Sequence, residues 1–476
     1  MPRKLKLYKI CLRYVKNNPR DTLMVYQERN VDFTMLFCGL PPMVCEDLMV
    51  PPPYHNPLFT YCIHRIGIKK LYLSFLLYDL PFLRMESVCK KITFAHITFA
   101  NLSEEDLRTL ISHMPNIIEL NLRNTNTTDK ILQNIGENCH FLKFLNVSSC
   151  SITDFGLFSL FYDANKACRC KQLEYLRIDD TQVTWKGLIT VLNTHNLRLL
   201  DASKSVLYPT LNRYSCYYFD RILHLENLNL SRFSQEEPLN IFDILLCTPY
   251  LKELHLREVN INDEELLTLP KLNYLENLSI ISRNNNLTFE VGIVQFLSLS
   301  GKNLKRLELH NIKYVNVYFI GKYCINLETI YLFSIFHLYF RSVSADNKPI
   351  FRSLKSFTCN ILEWEPWDDF FHLVFKNSPS LESIRINGIN FKDYSLKSII
   401  FLPATLKKIY FINCESVTKA LIYQILDHLP NLRVFRLQER KHSLSVDDLK
   451  EIFNHLHDVN SSMWFECCGR FRVTSR

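Results

Sequence analysis

The chain has 476 residues, 47% hydrophobic and 22% charged, a balance that excludes an intrinsically disordered polypeptide. Its net charge of +8 comes from 56 basic and 48 acidic residues without a lysine or arginine tract, so no direct nucleic-acid partner is expected. No signal-peptide-like apolar run opens the chain and no run of about 18 uncharged apolar residues follows; the expectation is no membrane span, with the 16 cysteines kept reduced in the cytoplasm or nucleus.

Residues 1–63 read as a non-repetitive helical head. Leu7, Ile10, Cys11, Tyr14 and Val15 fall at i, i+3, i+4, i+7 and i+8, one apolar stripe of a short helix that Asn17-Asn18-Pro19 ends. So short a helix is marginal alone and must pack on its own chain or on a partner. After Leu40, Pro41 can start a second helix, on which Val44 and Leu48 share a face. The residues alone leave two readings open, a cap over the first strand or a docking element.

Leu7-x-x-x-Cys11-x-x-x-Val15 resembles the elongin-binding BC-box of VHL-type and SOCS-type ubiquitin ligase receptors, with Lys6 where that family carries a small or hydroxyl residue. Leu40-Pro41-x-x-Val44-x-x-x-Leu48 resembles the cullin-2-selective box that follows a BC-box. The resemblance implies Leu7, Cys11 and Val15 as adaptor-binding residues and elongin B/C as the adaptor. It likewise implies Leu40, Pro41, Val44 and Leu48 as cullin-selecting residues, with cullin-2 as the partner. An F-box bound to a Skp-type adaptor is the alternative, because it too uses short helices and Leu-Pro motifs.

Residues 64–460 read as a repeat array. Ile68-Leu71-Leu73 and Ile92-Phe94 are expected as degenerate early strands. From Ile117-Leu120-Leu122 to Leu432-Phe435-Leu437, an L-x-x-L-x-L triad then returns thirteen times, every 23 to 31 residues. That is the period of leucine-rich repeats. Within a triad the last two positions alternate as a strand requires, and Thr153-Asp154, Thr184-Trp185 and Asn262-Asp263 offer caps for the helices that follow. The expected fold is an α/β leucine-rich repeat solenoid, a horseshoe with strands on the concave face and helices outside. Residues 461–476 are expected as a short tail, frayed beyond Cys468.

The passage from Cys139 through Leu142, Leu145, Val147 and Cys150 to Leu157 resembles the cysteine-containing subclass of these repeats, common in ubiquitin ligase receptors, F-box proteins included. Head and array together resemble the Zyg-type elongin/cullin-2 receptor family. That family also carries a C-terminal armadillo-like region, for which the repeats running to Leu437 leave no clear room. The resemblance therefore implies a substrate receptor whose recognition lies in the repeats or in a further partner.

Strand alternation places Glu119, Asn121 and Arg123 on the solvent side, and so on repeat by repeat to Val434, Arg436 and Gln438. Aromatic and arginine side chains on such a face are interface anchors. Tyr331, Phe333 and Tyr410, with Arg306 and Arg385, are the expected substrate-binding residues for a protein. No nucleophile elbow, phosphate loop or HExxH helix occurs, and Cys168-Arg-Cys170 lacks the spacing of a zinc knuckle. No cofactor, metal or intrinsic enzymatic activity is expected. A leucine-rich interaction scaffold without any ligase link is the remaining alternative.

Overall fold

A computed structural model describes residues 41–49, 68–74, 89–163, 165, 167–202, 207, 210–211, 222–231, 241–257, 261–282, 287–340, 349–361, 373–388, 402–415, 417–439, 444–459, 464–467 and 471–474. The chain forms two compact units, Met1–Leu225 and Glu226–Arg476. The first contains α1 (Pro42–Met49), β1 (Lys70–Ser74), β2 (Phe94–Thr98), α2 (Glu104–Ser112), β3 (Glu119–Asn121), α3 (Asp129–Asn138), β4 (Phe144–Asn146), α4 (Asp154–Phe161), β5 (Tyr175–Ile178), α5 (Trp185–Thr194) and β6 (Leu199–Ala202). Its six strands pair in chain order, all parallel.

The second unit opens with β7 (Asn227–Ser231), α6 (Ile241–Cys247), β8 (Glu253–Arg257), α7 (Asp263–Thr268), β9 (Asn277–Ile281), a π-turn at Phe289–Ile293 and α8 (Val294–Ser300). It continues through β10 (Arg306–His310), β11 (Tyr314–Asn316), α9 (Val317–Tyr323), β12 (Thr329–Ile335), β13 (His337–Tyr339), β14 (Ser356–Ile361), β15 (Ser383–Asn387) and β16 (Lys408–Cys414). Last come α10 (Lys419–His428), β17 (Val434–Glu439), α11 (Val446–Val459), β18 (Trp464–Cys467) and β19 (Phe471–Thr474). The ladder from β7 to β18 is parallel; β11 and β13 pair with each other outside it, and β19 closes it antiparallel against β18.

Each repeat holds its neighbours through the triad. Every triad side chain that the structure describes is buried, for example Leu304, Leu307 and Leu309 at 0% exposure. A buried leucine contributes about 1.5–3 kcal/mol from removal of its apolar surface from water, so the triads carry the core. Cysteines take the same role: Cys139, Cys150, Cys324, Cys359 and Cys414 are buried and unbridged. Burial pushes the Cys324 thiol up to about 12, so it packs as a protonated apolar group.

The early repeats differ from expectation in parity. Phe94 is only half-buried; Ile92, Ala95 and Ile97 make the second core triad, in register with Leu71 and Leu73 of β1. A strand has period two, so moving the core assignment by one residue turns Phe94 outward. At the other end the ladder runs past Leu437 into the segment expected as a tail. Phe465 and Cys467 are buried opposite Phe435 and Leu437.

Three polar devices recur at fixed repeat positions. The first is a left-handed turn seven residues after the first triad position. It is occupied by Asn124, Ser149, Asp180, Asn311, Ser334, Asn413 and Gly388, with φ between 52° and 86°. Asparagine, aspartate and glycine tolerate this region best, whereas Phe99 holds it at φ 54° without that advantage.

The second is a carboxylate clamp between successive helix starts. Asp129 accepts hydrogen bonds from Thr153 N and Oγ1 at 2.8 and 2.7 Å. Asp154 does the same for Thr184 at 2.7 and 2.6 Å, and Asp263 for Thr288 at 2.9 and 2.6 Å. Each clamp presses on a glycine, Gly156, Gly187 or Gly292, where a Cβ would overlap the carboxylate.

The third is an amide ladder just before the triad. Asn116, Asn303, Asn326 and Asn431 each donate through Nδ2 to a backbone carbonyl one repeat earlier, at 2.8, 2.8, 2.9 and 3.3 Å. These bonds satisfy turn carbonyls that the parallel ladder leaves over.

Two stability tests follow from this geometry. Gly156→Ala is expected to cost about 1–3 kcal/mol by displacing a clamp locked by two hydrogen bonds, read as a lowered urea midpoint. Asn311→Val places a β-branched residue at φ 58° and removes the amide bond to Ser282 O. It is expected to cost roughly 2 kcal/mol, and Asn311→Gly clearly less; equal midpoints for the two variants would contradict the left-handed constraint.

Candidate functional site

The face opposite the core is built by strand alternation. In β10, β15 and β16 the triad positions are buried while Arg306, Arg385 and Lys408 between them are exposed. Because the ladder is in register, one row carries a single side chain from each strand: Asn229, His255, Ser279, Glu308, Tyr331, Thr358, Arg385, Tyr410, Arg436 and Glu466. Neighbours in such a row are about 4.8 Å apart at the backbone.

The five expected anchors form two groups on this unit. On β10 and β12 the Arg306 guanidinium lies over the Tyr331 ring at 4.6 Å. Tyr331 stacks with Phe333, centroids 6.0 Å apart and planes 11° apart. Phe333 in turn meets His310 at 4.7 Å, and His310 Nε2 lies 2.8 Å from Glu308 Oε1. On β15 and β16 the Arg385 guanidinium lies over the Tyr410 ring at 5.5 Å. Strand β14, with Thr358 buried, separates the two groups.

The first unit carries a comparable surface that the sequence reading did not single out. Tyr72, Phe94 and His96 cluster at centroid distances of 4.3–5.7 Å, and His96 Nε2 lies 3.1 Å from Glu119 Oε1. Burial, then Glu119, Glu46 and Asp47, push the Tyr72 phenol above its usual range. Arg177 and Arg198 sit over Phe144 and Tyr175, yet each also has a carboxylate partner, Asp201 at 3.9 Å and Glu174 at 3.1 Å. Aromatic residues recurring at the same solvent-side positions were the available signal.

Along the edge of the strands runs a charge rail. The residue after the first triad position alternates in sign through Glu226, Lys252, Glu276, Lys305, Glu328, Lys355, Glu382 and Lys407. Ion pairs close at 3.0 Å (Lys252–Glu226), 2.9 Å (Lys305–Glu276 and Lys355–Glu328) and 2.8 Å (Lys407–Glu382). The hydrogen bond from Lys407, with Lys355 and Lys408 nearby, holds the Glu382 carboxyl below its usual range. The rail thus neutralises itself, unlike the face beside it.

In the head, Leu7, Cys11, Val15 and Leu40 lie outside the described residues. Pro41 is exposed and precedes α1, on which Val44 is half-buried and Leu48 lies one turn on. The residue entering the core is Cys45, which sequence reasoning did not single out; Glu46 Oε1 accepts a hydrogen bond from Lys69 N at 2.6 Å. Among the described residues no group of three His, Cys, Asp or Glu side chains converges to hold a metal ion. Nor is any described helix long and apolar enough to cross a membrane.

No protein-family model and no curated protein sequence matches this chain. Similar solved structures include an internalin (inlF) from Listeria monocytogenes, 13% identical with a TM-score of 0.37 over 72% of this chain and 87% of that one. The TLR13–ssRNA13 complex is 14% identical, TM-score 0.46, over 84% of this chain and 64% of that one. A yeast Rad7–Elc1 complex is 15% identical, TM-score 0.40, over 92% and 95%. Each likeness is distant.

Proposed function

We propose that this chain is a non-catalytic substrate receptor that holds a protein on the sheet face of its second unit and presents it to an elongin B/C–cullin-2 ubiquitin ligase. The observation that carries the receptor part is the pair of preformed cation–aromatic groups, Arg306–Tyr331–Phe333 and Arg385–Tyr410, on an open sheet. Rigid aromatic and arginine side chains supply contact area and oriented donors at low entropic cost, the usual makeup of an interface hot spot.

The ligase part rests on the head motifs. Leu7, Cys11 and Val15 would enter the adaptor, while Leu40, Pro41, Val44 and Leu48 would select the cullin. The mechanism is positional: the head binds the ligase, the sheet binds the substrate, and tethering raises the effective concentration of substrate lysines near the transferred ubiquitin. One observation favours the alternative of a scaffold without a ligase link. Cys45 and Glu46 dock α1 on the first strand, as a simple end cap does.

Affinity capture of the full chain from a eukaryotic lysate separates these readings. The intact protein is expected to recover elongin B/C and cullin-2, and a Leu7→Ser/Cys11→Ser variant with unchanged circular dichroism is expected to lose both. Tyr331→Ala and Tyr410→Ala are expected to keep elongin and to weaken substrate binding by about 1–4 kcal/mol at a true hot spot. Failure of the intact chain to recover elongin overturns the ligase reading. Recovery of a Skp-type adaptor instead establishes the F-box alternative.

A further inference from the structure

We infer that the protein segment held on this face is extended and acidic, with two carboxylates received by Arg306 and Arg385. The inference rests on the sheet face being the substrate site and names the chemistry that it accepts. Its ground is the charge left over after pairing. On β10 to β18 the face carries the cations Arg306, Arg385, Lys408 and Arg436 against Glu308 and Glu466. Glu308 is held by His310 at 2.8 Å, and Glu466 lies 3.6 Å from Arg436. Cations thus outnumber carboxylates on this face; Arg306 and Arg385 are exposed with no ion-paired carboxylate among the described residues, whereas Lys408 lies near Glu382 of the rail.

Both guanidiniums also meet a ring, their Cζ atoms 4.6 Å from the Tyr331 centroid and 5.5 Å from the Tyr410 centroid. A guanidinium that rests its face on a ring keeps its in-plane N–H fork for a planar acceptor. The first unit shows the other outcome: the arginines over Phe144 and Tyr175 already have carboxylate partners. Among the described residues, only the second unit places a guanidinium over a ring with no carboxylate within ion-pair distance.

Register sets the spacing of the acidic groups. From Arg306 on β10 to Arg385 on β15 the ladder takes three steps, through β12 and β14, with an offset of two residues along the strand. Three steps of about 4.8 Å and two residues of about 3.3 Å place the two positions roughly 16 Å apart, some four to five residues of extended chain. Tyr331, level with Arg385 and one strand from Arg306, lies where an intervening side chain desolvates, with Phe333 stacked on its far side. A side chain over the Tyr331 ring and a carboxylate at either end describe the segment.

Fluorescence anisotropy with labelled deca-glutamate as the probe tests this on the full chain. Binding is expected, and Arg306→Gln and Arg385→Gln are each expected to weaken it at least about tenfold. Lys355→Gln, which removes a cation already paired on the rail, is the control and is expected to change it less than about twofold. No binding of deca-glutamate, or equal losses in all three variants, overturns the inference. Tighter binding of a ten-nucleotide thymidine strand through the same arginines also overturns it, in favour of a single-stranded nucleic acid. If Tyr331→Ala releases the captured substrate while deca-glutamate fails to bind, the sheet face stands as the substrate site and only its acidic preference is lost.

Discussion

Parallel strand pairing, in register across the triads and shifted only at the ends of β12 and β16, is the constraint on which the rest of this structure depends. Each strand donates and accepts along its whole length to the strand one repeat away, as Arg306–His310 does with Asn277–Ile281 and with Thr329–Phe333. A slip of one residue would expose the triad leucines and bury Arg306, Glu308 and His310, so hydrophobic burial and backbone pairing enforce the same alignment. Once that alignment holds, side chains at equal repeat positions become spatial neighbours, and every polar device found here follows from it.

Those devices work across repeats rather than within them. The Asp129, Asp154 and Asp263 clamps tie one helix start to the next, and the asparagine ladder ties successive turns. The charge rail adds something different. An exposed ion pair contributes only a few tenths of a kcal/mol, up to about 1 kcal/mol, so its value lies less in stability than in neighbour order. With signs alternating from Glu226 to Lys407, skipping one repeat would oppose like charges at the next step.

The same logic separates the charges of the rail from those of the face. A cation on the rail meets its anion one strand away and is spent locally. Arg306 and Arg385 meet aromatic rings instead, which do not neutralise them. Under the proposed function, such a guanidinium beside an aromatic ring combines contact area with unpaired donors. The first unit, with comparable rings but paired arginines, shows that aromatic content alone does not produce this state.

Much of the architecture was legible in the residues because it is local. The L-x-x-L-x-L triads, the alternation that turns Tyr331, Phe333 and Tyr410 outward, and the caps at Thr153, Thr184 and Asn262 need only a few consecutive positions. Where a signal was weak, parity failed: Phe94 looked like a core residue, although Ala95 and Ile97 are the buried pair. Trp464–Cys467 escaped notice because nothing leucine-rich marks it, and only pairing with β17 shows it to be a strand. Likewise the sequence placed an apolar helix near Val44 but not the entry of Cys45 into the core, which depends on where the first strand lies. The sequence by itself determined the repeat, its core positions and its outward residues, because strand period and apolar burial act within one segment. Tertiary structure alone decided which arginine stacks on which ring and which finds a carboxylate, because those partners come from different repeats and meet only through register.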